Sequence, residues 1–535
     1  MSDVTETRRC FLGRVASGVT LASLGTRNAV AHEAGESRSQ YPNPDFNPDV
    51  ELELTAAEST AQLFAGDATR IWRFTGTVLK GDPRAFTMLP GDLIPVIRVR
   101  NHQRVRIFFH NELPEETIVH WHGLHIVQKM DGHPMYAIRS GQRYIYEFVV
   151  NNRAGTYWFH PHPHQRTGIQ VYAGLAGLFI VDDDEGAGNG LPSGEFERAW
   201  VLQDRSFDAS NQLVYAGGHM EMMMGFTGDR ILVNGRPDHV ERVAATAYRV
   251  RVLNGSNSRF YKLAWSDDRP LTVIGADGGL LEGPVDKPYV MLAPAERVEL
   301  WLDFSGDTLG TDRVLRSLPF SGGMMGMMGM GRGMSGGGGM RGRGRGMRGG
   351  RGMMGMSGLA NGDAFDVLKV RVDRIGDKPN ELPSKLSSIS WPRIEDAANR
   401  NAPRTIQMQM GMGQLSLNGR TFEMEGVASD EIVKLDTTEV WEFANVSGSM
   451  SHPMHLHNVQ FKVVARLQDS QLESVYDTMR AGLVDEGWKD VVIVMPGERV
   501  RVLMRFTDHI GLYLYHCHIL EHEDMGMMRN YQVSV

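Results

Sequence analysis

The sequence is poor in cysteine, in long apolar runs and in net positive charge. Of its 535 residues only Cys10 and Cys517 are cysteines, and Cys10 lies in the N-terminal leader, which excludes a disulfide framework in the mature chain. No run reaches about 18 consecutive apolar residues, so we expect no membrane-spanning helix. The formal net charge is −8 without a long acidic run, which argues against nucleic acid as a partner.

The first 31 residues have the order of an export signal. Arg8 and Arg9 form a twin arginine, residues 15–24 form a modest apolar stretch, and an Ala-Val-Ala cleavage site follows at 29–31. This order predicts a twin-arginine (Tat) signal peptide over residues 1–31 and a periplasmic or extracellular mature protein. The alternative is an N-terminus without structure that carries two arginines by chance.

Short segments with alternating apolar residues dominate the rest of the chain, for example 96–109, 248–255 and 499–506. Asn-Gly and Asp-Gly pairs, as at 234–235 and 277–278, mark tight turns between such segments. This pattern predicts an all-β fold of the sandwich type. The chain is too long for one core, so three or four domains are expected.

The C-terminal stretch 516–522, HCHILEH, places three imidazoles around one thiolate, and Met527 follows closely. Two histidines, a cysteine and a weak axial methionine are the ligands of an electron-transfer copper site. On a β-strand, successive side chains point to opposite faces. If Cys517 faces one metal, His516 and His518 therefore face another. The stretch predicts two metal centres joined through the backbone of one cysteine.

Three other windows repeat the histidine spacing: 120–122, 160–162 and 452–457. Twelve of the 19 histidines fall within or beside these four windows. A single pair of this kind is a weak signal, because most such pairs bind no metal. Four windows that include a lone cysteine between two histidines favour a metal site.

The four signatures read HWHG, WFHPH, HPMHLH and HCHILEHEDMGM, and they resemble those of three-domain multicopper oxidases, the family of laccases and bacterial copper-efflux (cuprous) oxidases. The likeness extends over most of residues 45–535. It implies three consecutive cupredoxin-like β-sandwich domains. These would be 45–187 with histidines of a trinuclear site, 195–375 without copper ligands, and 390–535 with the type 1 copper and further trinuclear histidines.

The resemblance implies four copper ions: one type 1, one type 2 and a type 3 pair. The type 1 ligands would be His452, Cys517, His522 and Met527. The type 2 ligands would be His120 and His455. The type 3 ligands would be His122, His160 and His518 for one ion, and His162, His457 and His516 for the other. His125 and His164 have no ligand role in the family.

Two acids match family residues that deliver protons, Asp131 and Glu523. Each has an alternative interpretation. Met130-Asp131-Gly132 has the composition of a turn, and Glu523 could orient the neighbouring His522.

Residues 321–358 form an insertion in the second domain with 11 Met, 18 Gly and 6 Arg. The segment cannot bury enough apolar surface to order itself, so we expect disorder. It is either a soft-ligand tract for Cu(I) or a neutral solvated loop. Met450 matches a residue of the substrate-copper site in the efflux oxidases, but Gly448 stands where an acid is expected.

By family analogy, the protein would couple four one-electron oxidations to the reduction of O2 to water. The expected donor is Cu(I) or a similar metal ion, with phenols and aromatic amines as the alternative, and we expect a monomer. A scaffold that has lost its ligands and a copper-storing protein are non-enzyme alternatives. Neither explains a complete ligand set.

Overall fold

Buried residues alternate with more exposed ones along strands such as Val50–Ala61, as the alternating apolar segments predict. In this computed structural model the described residues are 41–184, 190–216, 218–321, 359–376, 381–411, 414–445 and 450–535. The predicted signal peptide, most of the methionine-rich insertion and Gly448 lie outside these ranges. The described strands form six sheets, which pack as three pairs along the sequence. We call these pairs the first, second and third sandwich.

The first sandwich packs a four-stranded sheet on a five-stranded sheet. Its strands are β1 (Val50–Ala61), β2 (Thr69–Lys80), β3 (Phe86–Met88), β4 (Pro95–Arg100), β5 (Arg104–Glu112), β6 (Val119–His122), β7 (Arg143–Val149), β8 (Gly155–Pro161) and β9 (Gly177–Asp182). The sheet orders are β2-β1-β5-β7 and β3-β4-β9-β8-β6. Leu52 and Leu54 from one sheet share a core with Trp121 and Phe159 from the other.

The second sandwich follows the same plan. Its strands are β10 (Glu197–Phe207), β11 (Leu213–Val214), β12 (Arg230–Val233), β13 (Arg236–Pro237), β14 (Val240–Ala245), β15 (Ala247–Asn254), β16 (Tyr261–Trp265), β17 (Leu271–Ala276), β18 (Gly279–Lys287), β19 (Val290–Leu292), β20 (Arg297–Asp303), β21 (Asp312–Ser317) and β22 (Phe365–Ile375). One sheet has the order β13-β12-β10-β15-β20-β17-β18 with β11 beside β10, and the other β14-β22-β21-β16-β19.

The third sandwich contains β23 (Arg404–Gly411), β24 (Gln414–Leu417), β25 (Ile432–Lys434), β26 (Thr438–Ala444), β27 (His452–Leu456), β28 (Phe461–Gln468), β29 (Val491–Val494), β30 (Glu498–Arg505), β31 (Gly511–Cys517) and β32 (Met528–Ser534). Its sheets run β24-β23-β26-β30-β28 and β25-β32-β31-β27-β29. Every residue of β27 is buried, and so is β31 after Gly511. Both faces of these neighbouring strands are therefore covered, which an antiparallel sheet with one solvated face does not require.

Short helices fill the connections. The α-helices are α1 (Thr167–Ala173), α2 (His219–Met224), α3 (Glu473–Asp477) and α4 (Leu520–Asp524). Short 3-10 helices span Pro83–Ala85, Gln128–Met130, Pro134–Tyr136, Gly194–Phe196, Ile394–Asp396, Ser429–Glu431, Ser470–Leu472 and Arg480–Gly482. In the part of the chain that the structure describes, no helix is long and apolar enough to cross a membrane. The all-β prediction is confirmed, whereas the domain limits 45–187, 195–375 and 390–535 stay a prediction.

Candidate metal centres

Strand alternation separates two groups of candidate ligands on β27 and β31. The strands are antiparallel neighbours, with Met454 opposite Cys517 and His455 opposite His516. Because opposite residues share a face, His455 and His516 point to one side and Cys517 to the other. His452 precedes Met454 by two residues and lies on the cysteine side. The structure thus has the alternation around Cys517 that the sequence predicts.

The sulfur site comprises the four residues expected at the type 1 copper, His452, Cys517, His522 and Met527. Cys517 Sγ lies 3.4 Å from His452 Nδ1 and 3.5 Å from His522 Nδ1. The chain after His522 folds back, since the Met527 N–H donates to the His522 carbonyl and the Cys517 N–H donates to the Met527 carbonyl. All four side chains are buried in or beside the core of the third sandwich.

The second sandwich also contacts the sulfur site. His522 Nε2 donates a hydrogen bond to the main-chain carbonyl of Met223 in α2, at 3.1 Å. A carbonyl oxygen only accepts, so the proton of this ring is on Nε2 and the Nδ1 lone pair faces Cys517. Burial raises the pKa of the Cys517 thiol. A metal ion that binds there must displace the thiol proton, which couples binding to proton release.

The eight-histidine site lies on the other face of β27 and β31. It brings these strands against β6 and β8 of the first sandwich, where His120 is opposite His160. Two pairs of rings from different sandwiches stack, His120 on His457 at 3.7 Å and His122 on His455 at 3.8 Å between centroids. All eight rings are buried. The members of the eight-histidine site are His120, His122, His160, His162, His455, His457, His516 and His518.

Hydrogen bonds fix which nitrogen of several rings is unprotonated. The rings of His120, His160, His455 and His516 each donate through Nδ1 to a backbone carbonyl. Their Nε2 atoms therefore carry lone pairs in the neutral ring. His120 Nε2 nevertheless lies 3.4 Å from His455 Nε2. Two lone pairs at this distance repel unless a cation binds both, so the pair fits a shared metal ion.

The rings of His122 and His518 also have nitrogens that are free for a metal ion. His122 donates through Nε2 to Asp490 Oδ1 at 3.1 Å, and its buried Nδ1 has no hydrogen-bond partner among the described residues. Both ring nitrogens of His518 likewise have no hydrogen-bond partner among the described residues, and the His518 ring centroid is 5.0 Å from that of His122. Burial lowers the pKa of every ring in the site, to about 3 for His160 and His516. Neutral imidazole is the form that binds metals.

Ligand atoms within 4.8 Å of one another form several groups of three. One is His120, His455 and His457, which contains the expected type 2 pair. Another is His162, His457 and His516, the trio expected for one type 3 ion. Imidazole nitrogens suit copper, and a thiolate with a thioether selects it further, so both sites fit copper ions. Bound copper would supply one-electron transfer and O2 reduction.

Asp131 follows the 3-10 helix Gln128–Met130, so the turn interpretation is correct for its backbone. Its side chain has a further contact, because Asp131 Oδ2 lies 2.7 Å from His457 Nδ1. The main-chain carbonyl of Asp131 also accepts the hydrogen bond from His120, at 2.6 Å. One buried residue therefore holds two rings of the eight-histidine site. Burial raises the pKa of Asp131 well above its usual range, which favours a protonated acid.

Glu523 faces the same site from α4. Its Oε1 lies 3.4 Å from His162 Nε2, and its Oε2 lies 3.2 Å from His516 Nδ1. Burial, with a smaller contribution from Asp524, raises the pKa of Glu523 well above its usual range. Both contacts are with rings of the eight-histidine site, and the role of Glu523 in proton delivery stays a prediction.

Sequence reasoning missed Asp490 and Arg297. Asp490 contacts His122 through its carboxylate and His455 through its carbonyl, and Arg297 binds the carboxylate at 2.5 and 2.6 Å. No motif or periodicity marks either residue, and only the tertiary fold brings them to the histidines. His125 and His164 lie outside the site, as expected. His125 contacts Asp508, and the His164 ring packs 5.1 Å from Phe422.

Comparison with known proteins gives consistent matches. Two multicopper oxidase family models match residues 76–186 and 394–535. A multicopper oxidase of Staphylococcus aureus is 28% identical, over 92% of this chain and 90% of that protein. A laccase of Haloferax volcanii is 30% identical, over 78% and 67%. The solved structure of the McoA multicopper oxidase of Aquifex aeolicus is 31% identical, with a TM-score of 0.75 over 92% and 97%. The predicted fold of three cupredoxin-like sandwiches is confirmed.

Proposed function

The chain belongs to the multicopper oxidase family, and from this premise we propose that it uses four copper ions to couple one-electron oxidation of Cu(I) to the reduction of O2 to water. The observation that carries the proposal is the position of Cys517 between the two sites. Its side chain lies in the sulfur site, and its neighbour His516 belongs to the eight-histidine site. Electrons that enter at the sulfur site have a route of a few covalent bonds to the histidines.

Each candidate ligand has its role in this proposal. His452, Cys517, His522 and Met527 hold the type 1 ion, and the eight histidines hold the type 2 ion and the type 3 pair. Asp131 and Glu523 supply protons for water formation. Support for that role comes from their burial, which raises both pKa values and favours the protonated acids, and from their contacts with the histidines.

The preference for a small metal donor is supported by α2. This helix covers the outer edge of His522, whose ring is fully buried and whose Nε2 is bonded to the Met223 carbonyl. A bulky phenol cannot touch the ring without displacing the helix. The helix instead offers thioethers, which prefer Cu(I): Met220 is 69% exposed, and Met222 and Met224 are partly exposed.

Other methionines give less support. Met450 is 5% exposed and packs in the core of the third sandwich, so it is not positioned as an open ligand. Residues 322–358 and Gly448 lie outside the described residues. Helix α2 is therefore the support for a Cu(I) donor, and a role of the insertion in Cu(I) binding stays a prediction.

Copper analysis, the absorption spectrum and O2 uptake with Cu(I) test the proposal together. We expect a blue protein with about four copper ions per chain, as the ligand chemistry requires. Replacing Met220, Met222 and Met224 in α2 by Leu should slow Cu(I) oxidation and leave the blue colour intact. Met88→Leu, a partly exposed methionine in β3 of the first sandwich, is the matched control. A colourless protein without O2 uptake would overturn the oxidase proposal, and normal Cu(I) turnover in the α2 variant would overturn only the donor.

Oxidation of phenols and aromatic amines is the second candidate. It is supported by the similarity to the laccase of Haloferax volcanii. Phenol turnover that exceeds Cu(I) turnover, and that rises when α2 is shortened, would favour it. We further propose export by the Tat route and a role in copper tolerance, which fractionation of cells and growth on copper would test.

A further inference from the structure

Among the described residues, the second sandwich contributes none of the ligands proposed for the sulfur site or the eight-histidine site, yet one of its residues binds Asp490, which contacts two of the eight histidines. Arg297, the first residue of β20, is fully buried and uses both terminal nitrogens on Asp490. Its Nη1 lies 2.5 Å from Asp490 Oδ1 and its Nη2 lies 2.6 Å from Asp490 Oδ2. Such a bidentate pair fixes the orientation of the Asp490 carboxylate in addition to compensating its charge.

Asp490, held in this orientation, accepts hydrogen bonds from two of the eight histidines. Its Oδ1 accepts from His122 Nε2 at 3.1 Å, which leaves the His122 Nδ1 lone pair for a metal. Its main-chain carbonyl accepts from His455 Nδ1 at 2.8 Å, which leaves Nε2 of that ring for a metal. One residue therefore selects opposite tautomers in two stacked rings, one from the first sandwich and one from the third.

All donors of Arg297 have partners, and the partners span three sandwiches. Nε donates to the Thr156 carbonyl in β8, and Nη2 also donates to the Asp277 carbonyl of the second sandwich. Asp490 itself lies just before β29 of the third sandwich. A lysine could not make these contacts, since it has a single nitrogen at its end.

The chain makes room for this pair at Gly123, the last residue of the HWHG motif. A Cβ there would lie 2.5 Å from Asp490 Oδ2 and 3.0 Å from Arg297 Nη2. The residue also has φ of +85°, which side chains disfavour. The glycine that follows His122 is therefore required both by its backbone and by the Asp490–Arg297 pair.

We propose that Arg297 and Asp490 are positioning residues through which the second sandwich sets the tautomer and orientation of His122 and His455. The inference rests on the proposed copper sites. Removing a residue that orients a metal ligand typically lowers metal affinity by about 10- to 100-fold. We therefore expect Asp490→Asn to lose copper from the eight-histidine site preferentially. The sulfur site, which neither residue contacts, should keep its blue colour and its potential.

The test measures copper per chain during titration with a chelator, together with the EPR spectrum. In the wild-type protein the type 3 pair should be EPR-silent. Asp490→Asn should lose copper ions or show additional EPR-visible copper. Arg297→Lys keeps the charge and should give an intermediate result, which serves if Asp490→Asn does not fold. Glu299→Gln is the matched control, because Glu299 is equally buried on β20 and bonds Thr156 and two arginines.

Glu299→Gln should lose stability but keep the copper content and spectra of wild type. The inference is overturned if Asp490→Asn retains all copper at wild-type affinity with an unchanged EPR spectrum. It is also overturned if Glu299→Gln loses copper to the same extent, since general loosening of the sandwiches would then explain both. A wild-type protein that binds no copper would instead contradict the proposed function.

Discussion

The Glu299→Gln variant probes the contact between the first and second sandwiches. The Glu299 side chain is fully buried, and its Oε1 accepts from Thr156 Oγ1 at 2.8 Å and from Arg251 Nη1 at 2.5 Å. Its Oε2 accepts from Arg249 Nε at 2.7 Å. An amide keeps the shape of the carboxylate but removes its charge and turns one acceptor into a donor. The buried guanidinium groups of Arg249 and Arg251 then lose part of the negative charge that compensates them.

Removing one partner of a buried ion pair typically costs about 3–5 kcal/mol. We expect a value near the lower end, about 3 kcal/mol, because Arg251 keeps a second carboxylate, Glu197, at 2.8 Å. Urea unfolding at pH 7, with equal copper content in both proteins, measures the difference. Glu53→Gln is the control, since this exposed β1 residue should change stability by less than about 0.5 kcal/mol.

The pH dependence of the stability difference between wild type and Glu299→Gln is an independent test of these ion pairs. Burial opposes ionisation of Glu299, but Arg249 and Arg251 outweigh it, so its pKa lies below the usual value. The stabilisation is therefore complete above about pH 4.3, the ordinary value for Glu, and is lost as the pH falls through the folded-state pKa. Equal stabilities at pH 7, or a difference that grows on acidification, would refute this reasoning.

Changes in the metal sites have distinct expected outcomes. Cys517→Ser should abolish the blue absorption, which arises from charge transfer between thiolate and copper, and a variant that stays blue contradicts the sulfur site. Met527→Leu should keep the colour and raise the potential in redox titration, because the weak axial ligand is lost; an unchanged potential assigns the axial role to another residue. His120→Ala should keep the colour but stop O2 uptake, and normal uptake rules out its ligand role. Glu523→Gln should slow O2 reduction but not reduction of the blue site in stopped-flow measurements, and equal O2 rates remove it from proton delivery.

The sequence predicts most of the candidate ligands because their geometry is local. Spacing of two along a strand is sufficient to put His455 and His457 on one face, and alternation is sufficient to separate Cys517 from His516. The pairing of β27 with β31, and of β6 with β8, then follows from the sandwich fold. The all-β class is also predictable locally, because apolar residues recur at every second position of a strand and are buried there, as in β1.

Residues that act across sandwiches could not be predicted in this way. Asp490 and Arg297 are 193 positions apart, and nothing local distinguishes their ion pair from the many on a protein surface. The contact between His522 and Met223 spans 299 positions, so the composition of the methionine-rich helix α2 does not reveal that it packs against the sulfur site. Such contacts depend on how the sandwiches dock, which periodicity within one strand does not encode.

Helix α4 shows why docking and metal binding should depend on each other. It lies between Cys517 and Met527, and its three buried acids face different partners. Glu521 accepts from Tyr215 and Asn257 of the second sandwich, at 2.7 and 3.0 Å. Asp524 accepts from the main-chain nitrogens of residues 167 and 168 in α1, both at 2.9 Å.

Glu523, the remaining acid of α4, faces the eight-histidine site. A shift of either neighbouring sandwich would therefore move α4, and with it the chain that connects Cys517, His522 and Met527. Metal ligands fixed in this way are held by the docked sandwiches before an ion arrives. An ion bound in the eight-histidine site, whose ligands come from the first and third sandwiches, in turn opposes the separation of these two sandwiches. The second sandwich thus has a physical role in copper binding at the two sites, although none of its described residues is a candidate ligand of either site.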